Sequence, residues 1–280
     1  MKRQLTLALL VTTAISNAQL YGVGQTSNGY DFYSINTSNG AATSLFSFGV
    51  AGSNNVLGLT YIPSTNKFVT TAQFGAFSSK LVEIDLGAQT ATVVSHGIPN
   101  NSSGTPYFEG LEYMSSLGGL VVSHGQGGFY TGQLALLNAS GYGLLSNTSQ
   151  ILADGDVVFM DGTGALNVMD SNNPTGGFMR NTITNPFGTP VVSGYGSNMF
   201  AALDSDLAWK SDEGRLFLTQ GSFLSEVNPA STVITPIGSY GTAGTHVAIT
   251  GITAAVPEPG TIFAVGAGAA ALLRRRRRKS

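Results

Sequence analysis

The side chains best suited to acid–base chemistry in this sequence are its three histidines. They are His96, His124 and His246, and the first two lie in a pentapeptide, Val-Val-Ser-His-Gly, that occurs twice. A serine that precedes a histidine in a strand cannot serve as its nucleophile, because neighbouring side chains point to opposite faces. The chain also lacks the Gly-x-Ser-x-Gly turn that presents a nucleophilic serine. We therefore predict surface or strand-end histidines without a catalytic role.

Two acidic clusters carry the oxygen ligands that calcium prefers. The first consists of Asp154, Asp156 and Asp161. It departs from the EF-hand pattern, because its fifth position is Val158 and no bidentate glutamate follows at the required distance. Residues 204–213 hold a similar cluster. We interpret both as polar turns at the edge of the fold, with calcium at the first as the alternative and no other cofactor expected.

A pair of glutamates and a polar loop are the remaining candidates. Glu109 and Glu112 are three residues apart in a predicted strand. They face opposite sides and do not form the carboxylate pair of a glycoside hydrolase. Residues 123–128 form a Gly-rich polar loop that could line a sugar-binding mouth, but tight turns require the same residues and we prefer that interpretation. No catalytic residue is predicted.

The strands that must position these residues repeat five times. In each repeat an apolar strand ends at an Asn or Asp, which favours a turn because its side chain accepts a backbone hydrogen bond. A further strand then follows. The closing residues are 43 to 53 positions apart: Asn36, Asp85, Asn138, Asn181 and Asn228. A second pair of strands precedes most of these hairpins. Four strands per unit at a period in the forties predict the blades of a β-propeller.

The first unit lacks its opening strand, and the end of the repeat region supplies it. Residues 19–24 are expected to pair with residues 30–35, while residues 247–252 form a strand with no successor. Pairing the two ends would close a ring of five blades, of which the fourth, residues 155–194, is irregular. The predicted fold is therefore an all-β, five-bladed propeller, with a pair of stacked β-sandwiches as the alternative. The pattern loosely resembles bacterial envelope propellers with YVTN-type or NHL-type repeats.

The charge of the repeat region excludes one class of partner. Between the two terminal segments only five Lys and Arg residues stand against 14 acids, a net charge of −9. Such a surface cannot neutralise a phosphate backbone, so nucleic-acid binding is excluded. The chain also contains no cysteine. The chain therefore cannot form disulfides or thiolate metal sites and cannot be lipidated at a cysteine.

The N-terminal segment has the three parts of a secretory signal peptide. Lys2 and Arg3 are the basic part, residues 5–15 the apolar part, and residues 16–18 a small-x-small cleavage site. Cleavage after Ala18 would leave Gln19 as the first mature residue. We therefore predict export of the chain through the Sec machinery.

Three unlike pieces adjoin at the C-terminal end. They are Pro257-Glu258-Pro259, an uncharged apolar run over residues 261–273, and a basic block formed by Arg274, Arg275, Arg276, Arg277, Arg278 and Lys279. As a helix the run would reach only about 20 Å, less than the roughly 30 Å core of a bilayer. The basic block compensates, because long cationic side chains snorkel and hold their end on the cytoplasmic side.

This composite, residues 256–280, resembles the PEP-CTERM sorting signal of bacterial envelope proteins. The resemblance implies recognition by exosortase, a membrane-embedded protease that cuts near the Pro-Glu-Pro, and a host that makes exopolysaccharide. The apolar run is shorter and richer in Gly and Ala than is typical of that family.

The sequence predicts three segments. They are a signal peptide (1–18), a propeller-like domain (19–255) and a sorting signal (256–280) that anchors the chain transiently in the inner membrane. We expect an exported protein of the cell surface or exopolysaccharide matrix with a non-enzymatic structural or binding role. The alternative is a secreted propeller hydrolase or lyase that acts on polysaccharide. Convergence of acidic and histidine side chains from several blades would favour the enzyme.

Overall fold

The computed structural model describes residues 18–75, 78–99, 106–126, 129–149, 157–160, 163–170, 179–195, 205–229, 233–241 and 247–255. All regular elements within these ranges are strands, which confirms the all-β class. In chain order they are β1 (Gln19–Thr26), β2 (Gly29–Ile35), β3 (Ala42–Phe48), β4 (Asn55–Ile62), β5 (Lys67–Gln73), β6 (Ser79–Asp85), β7 (Thr90–Val94), β8 (Tyr107–Met114), β9 (Gly119–Gln126), β10 (Phe129–Asn138), β11 (Leu144–Asn147), β12 (Val157–Met160), β13 (Leu166–Asp170), β14 (Met179–Thr184), β15 (Val191–Tyr195), β16 (Ser205–Lys210), β17 (Arg215–Gln220), β18 (Phe223–Val227), β19 (Ile234–Ser239) and β20 (Ala248–Ala255).

These strands form five antiparallel four-stranded sheets, which are the blades of a propeller. Blade 1 has the order β20-β1-β2-β3, and blades 2 to 5 take β4–β7, β8–β11, β12–β15 and β16–β19 in sequence order. The first strand of each order is innermost: β20 contacts β4 and β16, while β8 and β12 complete the ring. The predicted five-bladed propeller is confirmed.

The ring closes by pairing the first and last strands of the domain. Gln19 pairs with Ala255 and Val23 with Gly251 in an antiparallel register, with an irregularity after Val23. On its other side β1 pairs with β2 through a tight turn at Thr26 and Gly29. The predicted closure is therefore confirmed. The described residues all belong to one compact unit, Ala18–Ala255.

The hydrophobic core is divided into five clusters, one between each pair of adjacent blades. Alternation along each strand produces this arrangement, because successive side chains point to opposite faces. On β9, Leu120 and Val122 pack towards blade 2, whereas Val121 packs towards blade 4. Each blade is therefore buried on both faces.

Three of the predicted turn residues, Asn36, Asp85 and Asn138, form the expected bonds. Asn36 Oδ1 accepts the backbone N–H of Ser38 at 2.9 Å, and Asn138 Oδ1 accepts that of Ser140 at 2.8 Å. Asp85 Oδ1 likewise accepts the N–H of Ala88 at 2.9 Å. These side chains terminate their strands by satisfying the first donor of the turn.

The prediction for the fourth blade was wrong about where its third strand ends. Asn181 does not end a strand, because β14 continues to Thr184 and the chain turns at Asn185, which has a φ of 52°. The strand is extended by a polar network on one face. Asn167 Oδ1 of β13 accepts bonds from Arg180 Nε and from the Thr182 hydroxyl, both at 2.8 Å. Polar residues here therefore pair across the sheet.

The outermost strand of every blade contains no charged residue. No Lys, Arg, Asp or Glu lies in β3, β7, β11, β15 or β19. Large apolar side chains on these strands are exposed, such as Leu145 at 55% and Val191 at 56%. Edge strands commonly carry charges that prevent pairing with another chain. The rim of this propeller lacks that protection.

Candidate functional site

The first polar site lies where the inner strands meet and is centred on Asp206 of β16. Its Oδ2 accepts the backbone N–H groups of Leu59 on β4 at 3.2 Å and of Ile252 on β20 at 2.8 Å. Its Oδ1 accepts the N–H of Leu207 at 2.9 Å. Inner strands have no partner strand on the axial side, so these donors would otherwise be unsatisfied. One carboxylate thus joins blades 5, 2 and 1.

Two glycines allow the inner strands to come this close. Gly58 precedes Leu59 with a φ of +61°, and Gly251 precedes Ile252. A Cβ added at Gly251 would lie 2.6 Å from the backbone of Gly58. This approach brings the two N–H groups within reach of one carboxylate.

The electrostatics of this axial site are unusual. Burial raises the pKa of Asp206 to about 8, although the N–H groups of Ile252, Leu207 and Leu59 act in the opposite direction. Burial also raises the pKa of Glu112, on inner strand β8, well above its ordinary value, and the charge of Asp206 raises it further. Acids from blades 3 and 5 therefore interact electrostatically.

The interpretation of residues 204–213 as one polar edge turn was wrong for Asp206, which is only 4% exposed. The turn itself, at Asp212 and Glu213, is occupied by ion pairs. Lys210 Nζ lies 2.8 Å from Asp212 and 2.7 Å from Glu213, and Arg215 pairs with Glu213 at 2.9 Å. Burial alone would lower the pKa of Lys210, but these bonds raise it overall. The turn is a structural ion-pair network.

The second polar site lies between blades 2 and 3 and contains two histidines. His124 lies on β9, two residues before the strand ends, and is 1% exposed. Of the two predicted alternatives, a surface or a strand-end histidine, the surface position was therefore wrong for it. Its Nε2 lies 2.9 Å from Asn147 Oδ1. His96 follows β7, and its ring meets that of Phe108 edge-on with centroids 4.8 Å apart. Since Phe108 is directly opposite His124 in the β8–β9 register, the two histidines share one interface.

The pKa of both histidines of this site lies below its ordinary value. Burial is the main cause that lowers the pKa of His96. A hydrogen bond to the backbone of Ile98 acts in the opposite direction, and electrostatic repulsion by His124 adds a smaller lowering. Burial also lowers the pKa of His124, although its bond to Asn147 acts in the opposite direction. The duplicated Val-Val-Ser-His-Gly was the only signal of this site in the sequence. Its two copies lie in different strands of different blades, and only the fold brings them together.

Several of the residues predicted from the sequence lie outside the described ranges. They are the sorting residues Pro257, Glu258 and Pro259, the basic block 274–279, His246, and the calcium candidates Asp154, Asp156 and Asp161. At the predicted signal-peptide junction, the N–H of Ala18 donates to Asp212 Oδ2 at 2.9 Å. Among the described residues, no group of three or more His, Asp and Glu side chains could hold a metal, and no helix is long and apolar enough to cross a membrane.

The five four-stranded sheets define the class as a five-bladed β-propeller. The crystal structure of TolB from Acinetobacter baumannii is similar with a TM-score of 0.50 and 11% identity. The match covers 86% of this chain and 55% of TolB, so the chain spans about half the length of that protein. A "putative 6-phosphogluconolactonase" from Bacteroides uniformis matches with a TM-score of 0.43 and 12% identity, over 81% of this chain and 83% of that one. No curated protein matches significantly.

The C-terminal segment indicates where the chain is delivered. Residues 255–278 match the family model of the PEP-CTERM protein-sorting motif, which confirms the resemblance found in the sequence. The motif marks exported proteins of the cell envelope that are sorted by exosortase.

Proposed function

We propose that this chain is a non-enzymatic component of the bacterial cell surface or exopolysaccharide matrix, in which the propeller has a structural or binding role. The observation that carries the proposal is the PEP-CTERM match at residues 255–278, which begins at the last residue of β20. The uncharged outer strands support it as well. Exposed apolar edges of this kind suit addition of a strand from another chain.

The proposed route has three steps. The signal peptide directs the chain to the Sec machinery and is removed after Ala18. The apolar segment 261–273 then holds the protein in the inner membrane, with the basic block 274–279 on the cytoplasmic side. Exosortase finally cuts near Pro257-Glu258-Pro259. The net charge of −9 between the terminal segments favours partners other than nucleic acid.

The state of the acids supports a non-enzymatic propeller. Asp206 accepts hydrogen bonds from three backbone N–H groups, as expected of a carboxylate with a structural role. Asp212 and Glu213 are engaged by Lys210 and Arg215. Hydrolysis of a glycosidic bond uses two carboxyl groups that flank the substrate. Among the described acids, those of the axis and the blade 5 turn are already committed to the fold, with Glu112 as the exception.

One observation favours the alternative of a polysaccharide hydrolase or lyase. Glu112 and Asp206 come from blades 3 and 5, and burial raises the pKa of both. A carboxylic acid that keeps its proton near neutral pH is what a general acid requires. If the protein is such an enzyme, it will release reducing ends from the polysaccharide of its host, and Glu112→Gln will abolish the release. Equal release by wild type and variant would reject this assignment.

Mass analysis of the mature protein from its host tests the proposed route. We expect a chain that begins at Gln19 and has lost the apolar segment and the basic block. Replacing Pro257-Glu258-Pro259 by three alanines should leave the basic block attached and retain the protein in the membrane. The matched control replaces Pro63-Ser64-Thr65, in the β4–β5 turn, by three alanines. Unchanged surface delivery of the first variant would overturn the assignment of the tripeptide as the signal.

A further inference from the structure

Unsatisfied hydrogen-bonding atoms are concentrated between blades 2 and 3. Among the described residues, four buried side-chain atoms have no hydrogen-bond partner: His96 Nδ1, His124 Nδ1, Gln133 Oε1 and Tyr240 Oη. The first three belong to this one interface. Buried polar atoms are nearly always paired, so each exception requires an explanation, such as a bound water or ion. Three exceptions at one interface suggest a common cause.

The sheet register places the three side chains together. His124 lies directly opposite Phe108 on β8 and directly opposite Gln133 on β10. Residues opposite each other in an antiparallel pair project to the same face, with Cβ atoms about 4.5–5.5 Å apart. His96 reaches the same face from blade 2, where its ring contacts Phe108.

The hydrogen bonding of His124 determines what its free nitrogen can do. Asn147 Oδ1 is an acceptor, so the Nε2 atom 2.9 Å away must carry the proton. Nδ1 then presents a lone pair. Gln133 Oε1 also presents lone pairs, and the neutral ring of His96 offers another on one of its nitrogens. The site therefore gathers electron-pair donors with no hydrogen-bond donor assigned to them.

We propose that this interface binds a divalent transition-metal ion of the Zn²⁺ class through His96, His124 and Gln133. Imidazole nitrogens suit such ions, whereas calcium takes oxygen ligands. The three atoms have essentially no solvent-accessible surface, so a ligand as large as a sugar could not reach them. Asn147 fixes the tautomer of His124, as an outer partner of a metal-bound histidine does. Two imidazoles and one amide oxygen would leave the fourth position of a tetrahedral ion open.

This proposal is independent of how the protein is sorted. It differs from the sequence-based expectation, which considered only calcium on Asp154, Asp156 and Asp161. It is also compatible with the lack of any group of three His, Asp and Glu side chains among the described residues, because one of its ligands is an amide.

Titration of the full-length, chelator-treated chain with Zn²⁺ tests the site, with calorimetry and thermal denaturation as readouts. We expect one ion per chain, a rise in Tm, and no comparable effect of Ca²⁺. His96→Gln and His124→Gln should each weaken binding at least about tenfold, and Asn147→Ala by about 10–100-fold. His246→Gln is the matched histidine control and should bind like wild type. Cu²⁺ bound to wild type should show coupling to two imidazole nitrogens by electron paramagnetic resonance.

A gain-of-function variant guards against loss of fold. Gln133→Glu replaces a neutral amide by a carboxylate at the same position and should tighten Zn²⁺ binding, which misfolding cannot do. The proposal is overturned if Zn²⁺ does not bind, if Ca²⁺ binds equally well, if both histidine variants bind like wild type, or if Gln133→Glu has no effect on the affinity.

Discussion

Two buried polar sites of the same ring differ in how their hydrogen bonds are completed. At the axis, Asp206 receives three backbone donors from three strands. Between blades 2 and 3, the two histidines and Gln133 each retain a buried atom without a partner. A completed site holds a fold together, whereas an incomplete one is costly unless something else occupies it. The difference separates a structural carboxylate from a site that is ready for a ligand.

The largest effect should come from removing the axial carboxylate. Asp206→Ala would leave the N–H groups of Leu59 and Ile252 buried without an acceptor, and we expect a loss of about 3–5 kcal/mol in the free energy of unfolding. Urea denaturation measures it. The matched control is Asp85→Ala, which loses an exposed hydrogen bond from Ala88 and a partly exposed ion pair with Lys67, with an expected loss of about 1 kcal/mol. Similar losses in the two variants would contradict the axial role.

The next effect concerns the approach of the inner strands. Gly251→Ala would place a methyl group against the backbone of Gly58 and separate the two donors that Asp206 joins. We expect a loss of about 1–3 kcal/mol by the same measurement. Gly49→Ala is the control, because a Cβ at Gly49 meets no atom within 4 Å. If both variants unfold alike, the close approach is not important for stability.

The pH dependence of the axial site has a definite sign. The folded-state pKa of Asp206, about 8, lies above its unfolded value of 3.8, so the folded state binds the proton more tightly. The resulting stabilisation is complete below about pH 4 and is lost as the pH rises towards 8. Asp206→Asn should remove this slope. A wild-type profile that parallels the Asn variant between pH 4 and 8 would refute the assignment.

The histidine site should respond in the opposite direction and by a smaller amount. Burial lowers the folded-state pKa of His96 and His124 below the ordinary 6.5, so protonation favours the unfolded chain. Their contribution is present above pH 6.5 and is lost as the pH falls below it. Thermal denaturation of His124→Gln should show a shallower loss of Tm between pH 6.5 and 5 than wild type. Identical slopes would mean that His124 is not buried as a neutral ring.

Local patterns in the sequence were sufficient for the architecture. The apolar strand that ends at an Asn or Asp predicted the turns at Asn36, Asp85 and Asn138, because the interaction lies within three residues. The unpaired strand at residues 247–252 likewise predicted the closure of the ring. Asn181 misled the prediction, since an asparagine can also pair across a sheet and only the neighbouring strand decides which occurs.

Local patterns could not predict the polar sites, because these sites are assembled from strands that are distant in the sequence. Asp206 was assigned to an edge turn from its sequence neighbours Asp204 and Asp212, although its partners Leu59 and Ile252 come from other blades. His96 and His124 were treated separately for the same reason. The sequence shows which side chains are capable of chemistry, but the convergence of blades determines which of them meet.

The pairing of β1 with β20 has a consequence for the order of assembly. A polypeptide threaded through a translocation channel with its N-terminus leading would reach the far side with an incomplete first sheet. On such a route the first sheet could be completed only after Ala255 had emerged, so the ring would remain open during passage. The pairing of β1 with β20 would then form last, next to the residue where the sorting motif begins.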